Sequence, residues 1–187
     1  MTKLYIADVS DIDIDSVLKK VSAYRRKKVL RLKRDADKRR SLGVELLLYR
    51  AFGDGFSYTV DENGKPLAEG VHFSLSHSGK YAVCAVGDCE IGVDIEAPKK
   101  NVLPLAKRFF TDEEYLKIAS SETPEEDFCA LWVIKEACIK CSGDGLSALT
   151  STDITHYRTR HFVHEGYHIG LASEADLGEI EIRVENI

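Results

Sequence analysis

The sequence predicts an α+β fold of two similar α/β lobes in one chain, related by a pseudo-two-fold axis, each with helices packed on a small antiparallel sheet. The main observation is an order of elements that occurs twice. Helical patterns precede strand patterns in residues 1–96, and the same order recurs in residues 97–187. A chain of 187 residues is long enough for two small lobes. We therefore expect an N-terminal lobe over residues 1–96 and a C-terminal lobe over residues 97–187.

The first half reads as a strand, two helices and a set of short strands. The helices are predicted over residues 13–32 and 36–52, and the second ends at Gly53. Strands are predicted at KLYIADV, FSYTV, VHFSLS, KYAVCAV and EIGVDIE. In the last of these, alternation places Asp94 and Glu96 on one face, so two adjacent carboxylates are expected next to the second lobe.

The second half predicts two short helices at LPLAKRFF and DEEYLKIA, followed by a longer one. Thr123 is the expected N-cap of the long helix, with Pro124 in the first turn and Glu126 three residues after the cap. The helix is expected to end at Gly143. Short strands are predicted near residues 153–158, 161–164, 167–173 and 179–185.

Composition indicates a globular protein of the cytoplasm. Hydrophobic residues make up 44% and charged residues 30% of the chain, and no apolar run approaches the about 18 residues that a membrane span needs. The start of the chain shows no secretory signal pattern. Five cysteines, an odd number, favour free thiols. The pair Cys138 and Cys141 lacks a second pair for zinc, which favours structural thiols.

Positive charge is concentrated in one segment of an acidic chain. The formal net charge is −5, yet residues 19–40 hold twelve basic residues against Asp35 and Asp37. The segment is either a solvated helical face or an anion-binding site, and the acidic total argues against nucleic acid as the partner.

A second charged group lies in an otherwise apolar helix. FCALWVIKEACI contains only Lys135 and Glu136 as charged residues, and Lys140 follows one turn after Glu136. Buried charges are costly unless they are paired or bind a metal. Together with Asp94 and Glu96, Glu136 gives three carboxylates with little local positive charge expected beside them. Hard oxygen ligands suit Mg²⁺, which commonly retains water and phosphate ligands. The pattern predicts a Mg²⁺-dependent enzyme acting on a polyanionic cofactor, and a metal-dependent phosphodiesterase would show the same pattern.

Five motifs in order carry a family resemblance. GKP at 64–66, SLSHSG at 74–79, GVDIE at 92–96, KRFFTDEEY at 107–115 and WVIKEACIK at 132–140 resemble the 4′-phosphopantetheinyl transferases, most closely the two-lobed, surfactin-synthetase-activating type. The sequence is short for this type, and the shortfall falls among the C-terminal strands.

The resemblance implies transfer of the 4′-phosphopantetheine arm of coenzyme A to a serine of an apo acyl or peptidyl carrier protein, with release of adenosine 3′,5′-bisphosphate. It implies that Asp94, Glu96 and Glu136 bind Mg²⁺. Glu136 is the candidate catalytic base, and Lys140 is the residue expected to stabilise the departing phosphate.

The resemblance also implies a set of coenzyme A contacts. These are Arg25, Lys28, Arg40, Lys65, Ser76, His77, Lys135 and Lys140. At the position of Arg40 the surfactin type has a threonine, so this sequence departs from the pattern there, although an arginine can also bind phosphate. Glu114 matches a family glutamate near the site. For His77 the alternative is a histidine that only caps a strand end.

Other functions stay open at this point. The alternatives are a metal-dependent phosphodiesterase and a non-catalytic protein that binds coenzyme A or, through residues 19–40, nucleic acid. Because both halves of the site lie in one chain, we expect an active monomer that needs neither a membrane nor nucleic acid.

Overall fold

The computed structural model describes residues 1–145 and 148–187, and it confirms the α+β class. The first sheet has four strands in the order β4-β5-β1-β9. These are β1 (Thr2–Asp8), β4 (His72–Ser78), β5 (Tyr81–Gly87) and β9 (Ile180–Glu185). The second sheet has three antiparallel strands in the order β6-β8-β7. These are β6 (Gly92–Glu96), β7 (Arg158–His164) and β8 (Tyr167–Ser173).

Six α-helices pack around these sheets in the described residues. They are α1 (Ile14–Leu18), α2 (Ala23–Leu30), α3 (Asp35–Phe52), α4 (Leu103–Phe109), α5 (Asp112–Ala119) and α6 (Pro124–Ser142). A small hairpin of β2 (Thr59–Val60) and β3 (Pro66–Leu67) lies between α3 and β4. None of the described helices is long and apolar enough to cross a membrane.

The two sheets exchange strands between the halves of the chain. Strand β6, from the first half, pairs with β8 in the second sheet, and β9, from the second half, pairs in parallel with β1 in the first sheet. The first sheet is therefore not purely antiparallel. Val93 and Ile95 of β6 pack in the apolar layer between the two sheets, together with Leu4 and Ile6 of β1. The predicted division into two lobes after residue 96 and the predicted pseudo-two-fold symmetry between the lobes remain predictions.

Three local predictions differ from the structure. The helix predicted over residues 13–32 is divided into α1 and α2, because the Ser22 side chain accepts a hydrogen bond from Arg25 N (3.1 Å) and starts a new helix. Thr123 makes no capping hydrogen bond, and Glu126 instead contacts Nε2 of His168 at 2.6 Å. The first strand predicted near residues 153–158 is a 3₁₀ turn at Ile154–His156.

Two glycines bring α6 directly onto the second sheet. A Cβ atom on Gly92 of β6 would lie 1.8 Å from the carbonyl oxygen of Ala137, and one on Gly170 of β8 would lie 2.4 Å from that of Val133. Any side chain at either position would push the helix away from the strands. The helix that carries Glu136 and Lys140 is therefore held against the strand that carries Asp94.

The five cysteines all lie in the described residues and are free, as predicted. Cys138 and Cys141 are buried in α6, and burial raises the pKa of Cys138 to about 12. Their packing supports a structural role.

Candidate active site

Three side chains from three elements meet at one carboxylate oxygen. Ser76 of β4 donates its hydroxyl to Oδ1 of Asp94 at 2.7 Å, and Lys140 Nζ of α6 donates to the same oxygen at 2.7 Å. Lys140 Nζ also donates to the Ser76 hydroxyl at 2.9 Å. Asp94 and Ser76 are both buried. The three side chains form a closed hydrogen-bonded triangle.

This triangle corrects one expectation. The sequence predicted three carboxylates with little positive charge beside them, yet Asp94 is paired with Lys140. Glu96 accepts a hydrogen bond from the Ser78 hydroxyl at 2.8 Å and lies 3.0 Å from Nζ of Lys99. The Asp94–Lys140 pair joins residues 46 positions apart, so it depends on how the chain folds, whereas Glu96 and Lys99 are only three positions apart.

Glu136 is the third carboxylate, and it forms no ion pair among the residues that the structure describes. Burial raises its pKa to about 7, and the negative charges of Asp94 and Glu96 act in the same direction. The positive charge of Lys140 opposes them. A buried carboxyl group with a pKa near neutrality suits proton transfer at physiological pH.

The three carboxylates and Lys140 line one cavity of about 360 Å³ between α2, the β2–β3 hairpin, β4, β6 and α6. Its other lining residues are Tyr24, Arg25, Lys28, Val44, Tyr58, Val60, Gly64, Pro66, Leu75, Ser76, His77 and Trp132. One wall is therefore acidic and another basic, an arrangement that suits a ligand with both a metal-bound and a free phosphate group.

Two of the predicted basic contacts, Arg25 and Lys28, lie in the wall of this cavity. Arg25 is only 5% exposed and forms an ion pair with the buried Glu45, with 2.9 Å between Nε and Oε2. Burial lowers the pKa of Lys28, and the positive charge of Arg25 lowers it further.

His77 also lines the cavity, whereas Arg40 does not. Partial desolvation lowers the pKa of the His77 ring to about 4. The side chain nevertheless keeps contact with solvent. The charges of Arg40, Lys140 and Lys28 act in the same direction. Arg40 itself donates to the Gly79 carbonyl at 2.9 Å and pairs with Asp37.

Lys65 and Lys135 lie outside the main cavity. Lys65 Nζ donates to Oε2 of Glu90 (2.7 Å) and to the Cys141 carbonyl (2.6 Å), beside a neighbouring cavity of about 250 Å³ that shares Glu136 and Lys140 with the first. Lys135 is 1% exposed, and its Nζ lies 2.8 Å from Oε2 of Glu114. This pair joins α5 to α6, and Lys135 does not line the cavity.

Comparison with known proteins identifies the group to which this chain is similar. The family described as the 4′-phosphopantetheinyl transferase superfamily matches residues 90–180. A 4′-phosphopantetheinyl transferase of Bacillus subtilis, named ffp, is 33% identical over 151 residues, which cover 74% of this chain and 67% of that protein. This chain belongs to the 4′-phosphopantetheinyl transferase superfamily.

Other members of the superfamily match over similar lengths. Another 4′-phosphopantetheinyl transferase of Bacillus subtilis is 37% identical over 145 residues, covering 71% of this chain and 65% of the relative. The protein Sfp of Bacillus subtilis strain 168 is 34% identical over 139 residues, covering 68% and 62%. The chain thus spans somewhat less than two thirds of the length of these two relatives.

Four site residues of this superfamily member escaped sequence reasoning. Tyr24, Tyr58 and Trp132 line the cavity, and Glu45 accepts a hydrogen bond from Nε of Arg25. Glu45 had a signal in the sequence, because it is an acidic residue within the apolar run SLGVELLL. Trp132 opens the motif WVIKEACIK but was not assigned to the site, and Tyr24 and Tyr58 had no signal in the sequence.

The chemistry of the acidic wall fits the Mg²⁺ ion that the 4′-phosphopantetheinyl transferase superfamily implies. Asp94, Glu96 and Glu136 offer hard oxygens in one cavity, and both hydrogen bonds described for Asp94 end on Oδ1. Within residues 1–145 and 148–187, no three acidic, histidine or cysteine side chains converge as a complete metal site. An ion that takes part of its ligand shell from water and phosphate does not require one.

Proposed function

We propose that this protein transfers the 4′-phosphopantetheine arm of coenzyme A to a serine hydroxyl of an apo acyl or peptidyl carrier protein, with Mg²⁺, and releases adenosine 3′,5′-bisphosphate. Membership of the superfamily supports the reaction class. The observation that carries the proposal for this chain is the single cavity lined by three carboxylates, Lys140 and the basic residues of α2.

The acidic wall is the proposed metal site. Asp94, Glu96 and Glu136 would hold Mg²⁺ together with water, and the ion would neutralise the diphosphate of coenzyme A. The hydroxyl of Ser76 keeps Asp94 oriented through the 2.7 Å hydrogen bond. Lys140 is then a cation that lines the cavity beside the acidic wall, because its Nζ lies 2.7 Å from Oδ1 of Asp94.

Glu136 and Lys140 have complementary proposed roles in the transfer. The serine oxygen of the carrier forms a bond to the phosphorus atom that bears pantetheine, and the bond from that phosphorus to the bridging oxygen breaks. Glu136, the carboxylate of this cavity that forms no ion pair with any described residue, accepts the serine proton. The electron pair of the broken bond stays on the phosphate of the adenosine bisphosphate, where Lys140 stabilises the charge.

The basic wall is the proposed site of the nucleotide. Arg25 and Lys28 of α2 and His77 of β4 line the same cavity as the carboxylates, which supports their contact with the 3′-phosphate. Arg40 and Lys65 do not line this cavity and are paired with Asp37 and Glu90, so contact of either with coenzyme A would require its ion pair to open. All these groups belong to one chain, which supports a monomer as the active unit.

One experiment separates this function from its alternatives. The protein is incubated with Mg²⁺ and coenzyme A, with and without an apo carrier protein, and adenosine 3′,5′-bisphosphate is quantified by chromatography. Release that depends on the apo carrier supports the transferase. Release without a carrier indicates a phosphodiesterase, and binding of coenzyme A without release indicates a non-catalytic protein. Glu136→Gln serves as the control for a contaminating activity.

A further inference from the structure

The centre of α3 contains a carboxylate that takes no part in the proposed chemistry. Glu45 is fully buried, with 0% of its surface exposed. It accepts hydrogen bonds from Nε of Arg25 at 2.9 Å, the hydroxyl of Tyr58 at 2.8 Å, the backbone N–H of Ser22 at 3.2 Å and the hydroxyl of Tyr49 at 3.3 Å. Glu45 therefore connects α3 with the start of α2 and with the segment before β2.

The bonds of Glu45 extend into a network that orients Arg25. Nη1 of Arg25 donates to the Ser41 hydroxyl at 3.3 Å, and Nη2 donates to the Tyr58 hydroxyl at 2.7 Å. With Nε on Glu45, each nitrogen of the guanidinium group makes one bond. A guanidinium group has five N–H donors, so two remain for a ligand. Arg25 and Tyr58 both line the cavity.

The same network also decides how much charge Arg25 presents. Burial favours the protonated form of Glu45, but the hydrogen bonds and the charge of Arg25 outweigh it and hold the pKa of Glu45 below its usual value. Glu45 is thus ionised at neutral pH and cancels the charge of Arg25. Lys28 of the same wall forms no ion pair with any described residue, so it supplies the net positive charge there.

We propose that Glu45 is a positioning residue for the nucleotide. It fixes the guanidinium group of Arg25 and the hydroxyl of Tyr58 at the cavity wall, so that Arg25 acts as a pre-oriented hydrogen-bond donor to the 3′-phosphate while Lys28 provides the attraction. This inference rests on the proposed function, because it takes coenzyme A as the ligand. It goes further in assigning selectivity for the 3′-phosphomonoester to a residue that does not touch the ligand.

A purely structural role for Glu45 predicts a different result, and the chain offers a matched control. Tyr49 and Tyr58 both donate to Glu45, but Tyr58 lines the cavity with the carboxylates and Tyr49 lines a separate cavity that shares no residue with it. Glu45→Asp keeps the charge and withdraws the carboxylate by one methylene group. Tyr58→Phe removes only a hydroxyl, so it carries the test if Glu45→Asp fails to fold.

The test is a calorimetric titration of the whole protein and these three variants with coenzyme A and with 3′-dephospho-coenzyme A. We expect the preference for coenzyme A to fall by about tenfold in Glu45→Asp, as for the loss of one charge-assisted hydrogen bond. It should also fall in Tyr58→Phe and stay unchanged in Tyr49→Phe, even where thermal stability is reduced.

The outcomes separate this inference from the proposed function. An unaltered preference in both Glu45→Asp and Tyr58→Phe, with the unmodified protein still preferring coenzyme A, overturns the positioning role alone. An equal loss in Tyr49→Phe also overturns it, because the network would then act only through stability. Failure of the unmodified protein to bind coenzyme A overturns the proposed function, and this inference with it.

Discussion

Lys140 makes two contacts that metal binding would alter. Its ammonium group donates to both Asp94 and Ser76, so it balances the charge of Asp94. An ion at Asp94 would compete with this pair and release Lys140 toward the cavity. Lys140 is therefore suited to act on charge that develops during transfer rather than on the bound cofactor.

We predict that Lys140→Ala lowers the single-turnover rate of transfer by more than it weakens binding of coenzyme A, because the contact strengthens as charge develops on the leaving group. The measurement is single-turnover transfer together with a direct coenzyme A titration. Lys99→Ala is the matched control, since Lys99 pairs with Glu96 but is 65% exposed. Weaker binding with an unchanged chemical step would make Lys140 a ground-state phosphate contact.

Glu136 has a consequence for stability as well as for catalysis. Its pKa is raised in the folded protein from an ordinary value of 4.5 to about 7. Between these values the folded state binds more protons than the unfolded state, so the free energy of unfolding falls as the pH rises through this window. A shift of this size is worth roughly 3 kcal/mol.

We therefore predict that Glu136→Gln makes the metal-free protein more stable than the unmodified protein at pH 8, by up to roughly 3 kcal/mol, with the difference shrinking toward pH 5. Urea denaturation in a chelator at both pH values measures it. Glu122→Gln, at an exposed position just before α6, is the control. A difference that is the same at pH 5 and pH 8 would contradict the raised pKa.

Helices and strands show how far the sequence could predict the site. The alternation of GVDIE and the apolar surroundings of Glu136 are local patterns, so the acidic strand and the buried helix were both found from sequence. The pairing of β6 with β8 depends on residues more than seventy positions apart, which no local pattern contains. The position of Lys135 follows from helix geometry: adjacent residues differ by about 100°, so Lys135 faces α5 while Glu136 faces the cavity.

At the level of elements, the contact between α6 and the second sheet is the feature that we expect to be most sensitive to substitution. We predict that Gly92→Ala lowers the free energy of unfolding by about 3 kcal/mol or more, because its Cβ atom would overlap the Ala137 carbonyl and displace the helix. Turnover should fall with it, since Asp94 and Lys140 separate. Urea denaturation and a transfer assay test both effects.

The control for this substitution is Gly87→Ala, where the nearest backbone atom would lie at 3.1 Å. It should be much milder. Unfolding curves for Gly92→Ala that match those of the unmodified protein would show that α6 does not depend on this close approach.

The whole molecule is held together by the two exchanged strands. β9 adds to the first sheet beside β1, and β6 leaves the first half to join β8. Residues 1–96 alone therefore lack β9 of the first sheet, and residues 97–187 alone lack β6 of the second sheet. Each half nevertheless has its own set of helices. The candidate active site depends on this exchange of strands, because β6 carries Asp94 and Glu96.

We predict that fragments 1–96 and 97–187, produced separately, do not fold cooperatively. The first fragment would leave Val93 and Ile95 without the β8 strand that they pack beside, and the second would leave β9 without β1. Thermal unfolding followed by circular dichroism tests this, with the intact chain as the control. A cooperative transition in fragment 1–96 alone would instead support an independent N-terminal lobe.

The central claim is that one cavity with an acidic and a basic wall transfers phosphopantetheine to a carrier protein. The most direct measurement is the intact mass of a panel of apo carrier proteins after incubation with the protein, coenzyme A and Mg²⁺, with Asp94→Ala and omission of Mg²⁺ as controls. We predict that at least one carrier gains the mass of a single phosphopantetheine group on its serine, and that both controls abolish the gain. No mass gain on any carrier that a known transferase modifies in parallel, or a full gain with Asp94→Ala, would contradict the account.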